Sequence, residues 1–157
     1  MGVKTEIRPT RPEDVEALIA NLRESDLIEC IAYGRDDIPA GIRSSVNRSV
    51  LCWTGLADGE VASIMGCTPL NMLAGIGSPW MLGTPLLDRH SRVLVRETPA
   101  YIARMLSIFP HLFNLVHVEN TTSVRWLRRV GFTLHAPVPY GEMGEMFHPF
   151  EMKASNV

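Results

Sequence analysis

The sequence predicts one mixed α/β domain, and three observations predict it. A chain of 157 residues that is 46% hydrophobic and 20% charged has enough apolar side chains for one ordinary core. Asp58-Gly59 joins two β-rich runs, residues 50–57 and 60–67. Asp-Gly there signals a hairpin, because both residues tolerate the positive φ its turn requires. Residues 112–132 then read as strand, turn, amphipathic helix and the start of another strand. The expected order is β, α, α, β–β, β, α, β, α, β, β, with no repeat and no low-complexity linker, so residues 1–157 form a single domain.

Residues 5–8 suit a short first strand. Thr10-x-x-Glu13 has the capping-box pattern, and Pro12 sits in the first turn, where its missing N–H costs nothing. Val15, Leu18, Ile19 and Leu22 give the first helix one apolar face. A second helix over 26–33 is expected to bury Leu27, Ile28 and Ile31 before Gly34 ends it, and 38–48 suits a third with Pro39 in its first turn. In the hairpin, Trp53, Val61, Ser63 and Met65 fit a pleated, half-buried surface. Residues 68–79 hold several Gly and Pro and read as a loop, and 80–83 as a short strand. Asp88 is expected to cap a helix reaching Ile108, kinked or split at Thr98-Pro99, with Tyr101, Ile102, Met105, Leu106 and Phe109 inside.

The next unit has the clearest grammar. Residues 112–118 form a strand, and Asn120 suits the N-cap of a helix over 121–130. Val124, Leu127 and Val130 make its apolar stripe, while Arg125, Arg128 and Arg129 face away. Gly131 supplies the left-handed residue at its end, and a strand over 132–136 follows. A Pro/Gly loop over 137–144 and a strand over 146–152 complete the order.

Several function classes lose support at once. A formal net charge of −2 gives nucleic-acid binding little basis. No basic-then-apolar leader and no bilayer-length apolar run are present, which predicts a soluble cytoplasmic protein with no membrane partner. Cys30, Cys52 and Cys67 are odd in number and lack metal-type spacing, so they read as buried free thiols in a reducing compartment. Five scattered His residues argue against zinc, and no metal site is expected. No Ser–His–Asp or Cys–His pairing has a useful spacing, and no glycine-rich nucleotide loop precedes a helix.

Asn120, Ser123, Gly131 and Phe132 are spaced as in the N-x-x-S/A … G-F signature of the GCN5-related N-acetyltransferases (GNAT), and the element order resembles that family along essentially the full chain. The run from Val116 to Asn120 is most similar to the branch that acetylates protein N-termini. The resemblance implies a GNAT-like fold: a mostly antiparallel sheet of about six or seven strands flanked by about four helices. It implies a sheet splayed between its fourth and fifth strands, here 80–83 and 112–118, where the pantetheine of acetyl-CoA enters. The activity implied is direct acetyl transfer from acetyl-CoA to an amine acceptor, a protein being one option. Acceptor choice would reside in residues 22–48 and 137–144. Cofactor-binding candidates are Met81, Leu82, Gly83 and Thr84 on the fourth strand and its turn, and Asn120, Ser123 and Trp126 on the later helix.

Two departures accompany the match. The family's glycine-rich pyrophosphate loop is replaced by Leu86-Leu87-Asp88-Arg89-His90-Ser91-Arg92, without glycine after Gly83. Arg89, His90 and Arg92 could meet phosphate by charge instead. The family's acid position, a Tyr seven residues after the motif Asn, is Leu127, leaving Tyr140 or Tyr101 as substitutes. Catalytic candidates are His117 and Glu119, which alternate with Val116 and Val118 on the splayed strand, and Asn120, which orders the helix turn; Glu60 in the hairpin is another acid. Asp58-Gly59-Glu60, the stretch from Pro79 to Thr84, the stretch from Arg125 to Arg129 and Phe147-x-x-Phe150 resemble GNAT-type proteins of tailed bacteriophages and prophages. That likeness implies an alternative: a catalytically degenerate structural, internal-virion or host-interaction protein, in host cytoplasm or virion, with a phage or host protein partner.

Overall fold

In the computed structural model, which describes residues 2–155, the strands β1 (Thr5–Pro9), β2 (Leu51–Ala57), β3 (Glu60–Asn71), β4 (Ile76–Gly83), β5 (His111–His117), β6 (Thr133–Leu134), β7 (Val138–Tyr140) and β8 (Glu145–Lys153) form one sheet. Its order is β1-β2-β3-β4-β5-β8-β6, with β7 also on β8. Every pairing is antiparallel except β4 with β5. The helices are α1 (Pro12–Ala20), α2 (Glu24–Ala32), α3 (Ile38–Arg48), α4 (Pro85–Arg89), α5 (Ser91–Val95), α6 (Thr98–Ile108) and α7 (Thr121–Val130).

Alternation along the strands divides the core between the two faces of the sheet. Trp53, Met65, Leu112, Val116 and Phe150 pack beneath α6 and α7, against Ile102, Met105, Val124 and Leu127. Ile64, Trp80 and Leu82 face the other way, onto Val15 and Leu18 of α1 and Ile42 of α3. The Asp-Gly hairpin forms as expected, with φ of 49° at Asp58 and 81° at Gly59.

Several elements differ from expectation, each for a local reason. α1 begins at Pro12, but Thr10 is not its cap. Asp14 accepts from the Arg11 N–H at 2.9 Å, while the Thr10 hydroxyl pairs with Thr54 at 3.1 Å. The predicted loop over 68–79 is mostly strand, because β3 runs to Asn71 and β4 starts at Ile76 around a turn closed by Gly75 (φ 68°). The helix after β4 is in three pieces and is capped by Thr84, whose hydroxyl accepts from Leu86 N–H; Asp88 instead pairs with Arg23 at 2.9 Å. The strand over 132–136 shrinks to two residues, and the loop over 137–144 contains β7. The largest reversal is in α2. Leu27, Ile28 and Ile31 are exposed, whereas Asp26 and Cys30 are buried.

Candidate active site

β4 and β5 start as neighbours and then part. Ladder pairing covers Ile76 with His111 and Gly77 with Leu112, and stops there. The next rung needs an N–H at residue 79, which is Pro79 and has none. Asn114 fills the break with its own amide. Its Nδ2 donates to the Pro79 carbonyl at 2.7 Å, and its Oδ1 accepts from the Leu115 N–H at 2.8 Å. Each strand thus bonds to the Asn114 side chain in place of the other strand, and beyond it the sheet opens as a wedge.

A splayed sheet leaves main-chain groups that require partners. On the β5 lip they come from α2 and Asn114. The Tyr33 hydroxyl donates to the Leu115 carbonyl at 2.6 Å, and Glu29 Oε1 accepts from the His117 N–H at 2.8 Å. On the β4 lip, Asp26 Oδ2 accepts from the Gly83 N–H at 2.7 Å, and Gly83 O accepts from the Arg23 N–H at 2.9 Å. Asp26 and Glu29 are one helical turn apart, about 4.5 Å along the axis. That spacing lets α2 reach one lip with each carboxylate. Because Gly83 turns its N–H away from β3, the two-residue alternation directs the N–H and C=O of Met81 into the wedge as well.

The electrostatics of these acids follow from burial. Burial raises the Glu29 carboxyl above its ordinary value, opposed by the bonds from His117 N–H and from Asn120 Nδ2 at 2.8 Å. Burial also raises Asp26, opposed by Arg23, whose Nε donates to Asp26 at 2.6 Å. Cys30 is pushed up to about 11 by burial, so it is a protonated thiol and not a nucleophile near neutrality.

The wedge opens into a cavity of about 360 Å³ whose lining includes Glu29, Tyr33, Met81, Val116, Ser123 and Trp126. Of the sequence candidates for cofactor binding, Met81, Leu82, Ser123 and Trp126 line it. Asn120 is buried beside it; Oδ1 caps α7 by accepting from the Ser123 N–H at 3.4 Å, and Nδ2 holds Glu29. His117 is buried against Phe147, with Nε2 3.2 Å from Glu145, and is not among the lining residues. Glu119 is exposed past the strand end. Tyr140 lies near the opening, its ring centroid 5.6 Å from that of Tyr33, whereas Tyr101 packs on Trp53 under the opposite face of the sheet. Sequence reasoning missed Asp26, Glu29, Tyr33 and Asn114. The sequence held only a hint for the first two, carboxylates at i and i+3 among Leu27, Ile28, Cys30 and Ile31, without the distant partners that give them a role.

The wedge fits the arm of acetyl-CoA. The Trp126 indole N–H is buried without a hydrogen-bond partner among the described residues, and Met81 offers a main-chain donor and acceptor across from it. The nucleotide end fits less well. Gly83 N–H is taken by Asp26, Pro85 has none, and Leu86 and Leu87 N–H both bond to Thr84. No free amide cradle remains for a pyrophosphate at this turn. Arg89 and Arg92 are exposed, and His90 is half-buried.

Solved structures share this architecture. Over 97% of this chain and 99% of the other, it superposes on Ard1 from Thermoplasma volcanium with a TM-score of 0.75 at 14% identity. An acetyltransferase of the GNAT family from Streptococcus pneumoniae matches over 97% and 100%, with a TM-score of 0.65 and 15% identity. YncA from Salmonella typhimurium, solved with its cofactor acetyl-CoA, matches over 98% and 95%, with a TM-score of 0.67 and 13% identity. No protein-family model and no curated protein matches the sequence. The chain therefore has a mixed α/β, GNAT-like fold, as expected. Among the described residues its sheet has eight strands, above the expected number, and one parallel pair, β4–β5. Among the described residues no helix is long and apolar enough to cross a membrane, and no cluster could hold a metal ion.

Proposed function

We propose that this protein is an N-acyltransferase that moves an acetyl group from a pantetheine thioester directly to an amine. The observation that carries this reading is the end of the β4–β5 ladder at Gly77 and Leu112, which leaves the Met81 edge open to an extended arm. When bound, the thioester supplies an activated acyl carbon. The chain's own residues do the rest. Met81 main-chain groups and the Trp126 indole N–H orient the arm, and Asn120 fixes the start of α7 and one oxygen of Glu29. Glu29 takes the ammonium proton: its carboxyl is raised by burial, which makes it a stronger base, and it faces the cavity from the α2 side. Apolar Leu27, Ile28 and Ile31 and the β7–β8 segment around Tyr140 border that side and suit an acceptor carried on a polypeptide.

The test is a thermal-shift titration with acetyl-CoA and acetyl-phosphopantetheine, paired with transfer assays on amine-terminated peptides. Saturable stabilisation and acetyl-peptide product are expected. If neither thioester shifts the melting temperature at millimolar concentration and no product forms, the catalytically degenerate scaffold becomes the correct reading.

A further inference from the structure

The cavity passes through the sheet at the wedge, and its two halves differ in charge. Met65, Ile102, Met105 and Leu127 line the half beneath α6 and α7. Among the described residues, the charged side chains of the lining are Asp26, Glu29, Arg35 and Arg48, all from α2, α3 or the link between them. Asp26 is neutralised by Arg23 at 2.6 Å. Glu29 is held by the His117 N–H and Asn120 Nδ2, neither of them a cation. One acid and two arginines therefore remain to meet a ligand.

α3 sets the two arginines on one wall. Gly41, Ser45 and Arg48 recur at i, i+4 and i+7, one stripe of that helix, and Ser45 and Arg48 line the cavity. Arg35 lies across the bare backbone of Gly41, where an added Cβ would stand 2.6 Å from its Nη1. Gly41 and Arg48 are about 10 Å apart along the axis. Arg35 and Glu29 also act on the same buried groups. Burial raises the Tyr33 hydroxyl, Glu29 adds to the rise and Arg35 opposes it; the Cys30 thiol feels the same pair. Neither Arg35 nor Arg48 has an ion partner among the described residues. Asp36 and Asp37 directly follow Arg35 in the chain, yet Asp37 accepts from the Ala40 N–H at 3.0 Å instead. Arg43, on the opposite face of α3, does pair, with Glu16 at 2.8 Å. On α3 the arginine turned away from the cavity is satisfied, and the one bordering it is not.

We infer that the acceptor is an acidic polypeptide segment with a carboxylate side chain beside its reacting amine, and that Arg35 and Arg48 are the specificity-determining residues that bind it. The inference rests on the acyltransferase reading and names its acceptor class. Glu29 meets the ammonium, Arg35 takes the neighbouring carboxylate, and Arg48, further along the wall, takes a second acid of the segment. Guanidinium–carboxylate bonds are charge-assisted, and they strengthen as the bound segment displaces water from the mouth of the cavity. A basic segment would set like charges against both arginines, so the same pair attracts one class of acceptor and rejects another.

The experiment measures transfer by the full chain from acetyl-CoA or acetyl-phosphopantetheine to three peptides that differ only beside the reacting amine, where they carry aspartates, alanines or lysines. The aspartate peptide is expected to show a kcat/KM about tenfold or more above the lysine peptide, a preference that shrinks as salt is raised. R35E combined with R48E is expected to lower kcat/KM for the aspartate peptide about tenfold and to raise it for the lysine peptide, while thioester affinity changes less than about twofold. R35K combined with R48K keeps the charges and is expected to keep the order of preference, and melting curves accompany both variants. Equal use of the three peptides, or a preference that survives charge reversal, overturns the acidic-acceptor inference and leaves the transferase reading in place. Transfer to none of the peptides by a protein that binds either thioester, whether or not free aspartate reacts, overturns it as well. Failure of both thioesters to bind, with no transfer to any amine, overturns both readings.

Discussion

α2 and α7 border the same wedge and are built by opposite rules. α7 buries Val124 and Leu127 and presents Arg125, Arg128 and Arg129 to solvent. α2 turns Asp26, Cys30 and Tyr33 inward and leaves Ile28 at 47% and Ile31 at 50% exposure. The difference lies in what each helix packs on. α7 covers an intact sheet face, which asks only for apolar side chains. α2 covers the strand edges that the splay uncovers, and those edges ask for acceptors and donors. A helix that buries acids and exposes isoleucines is therefore a sign of free backbone beneath it.

The most severe way to break this comparison is Glu29→Gln. Acyl transfer is expected to fall about 10²–10⁴-fold, the usual worth of a positioned base, read from steady-state rates with a melting curve taken alongside. The pH profile sharpens it. A protonated Glu29 cannot accept a proton, so the wild-type rate drops on the acid side at a pH above the ordinary Glu value of 4.5. The native carboxyl also holds its proton more tightly than the unfolded one, so stability falls as pH rises from that value through the raised one. Both features should vanish in the variant. A rate unchanged by Glu29→Gln would reduce α2 to scaffolding.

Next in size is Asp26→Ala. It leaves the buried Arg23 with only the exposed Asp88 as an ion partner and the Gly83 N–H with none, and should cost about 3–5 kcal/mol in urea unfolding. Leu127→Ala in α7 should cost about 2–5 kcal/mol through cavity formation. The contrast between them is salt: screening should change the first and spare the second. If both respond alike, α2 is held by packing after all. Asn120→Ala removes a helix cap worth about 0.5–2 kcal/mol, and since Asn120 also holds Glu29, its effect on rate should exceed that on melting temperature. The smallest effect is Ile31→Ser, within about 0.5 kcal/mol of wild type by chemical denaturation, as for surface sites generally. A loss of more than 2 kcal/mol would show that α2 buries Ile31 in solution.

Much of the fold was legible because its signals are local. The α7 bounds, its Asn120 cap and Gly131 at φ 107° follow from periodicity and from residues with special backbone freedom. So does the Asp58-Gly59 hairpin. Asp26, Glu29, Tyr33 and Asn114 were not legible as site residues. Their meaning depends on partners about 35 to 91 positions away along the chain, at Pro79, Gly83, Leu115, His117 and Asn120. Periodicity failed at α2 for the same reason, since it assumes that what lies inside is apolar.

By itself, the sequence determined the Asp58-Gly59 hairpin turn, the bounds of α7 and that Asn120 opens it. The tertiary structure alone decided that β4 and β5 part after one short ladder, and which side chains meet the groups thus freed. The physical reason is that a missing N–H at Pro79 acquires consequences only when a particular strand lies beside it. Local preference sets the pieces, and the accounting of buried hydrogen bonds between distant pieces sets the site.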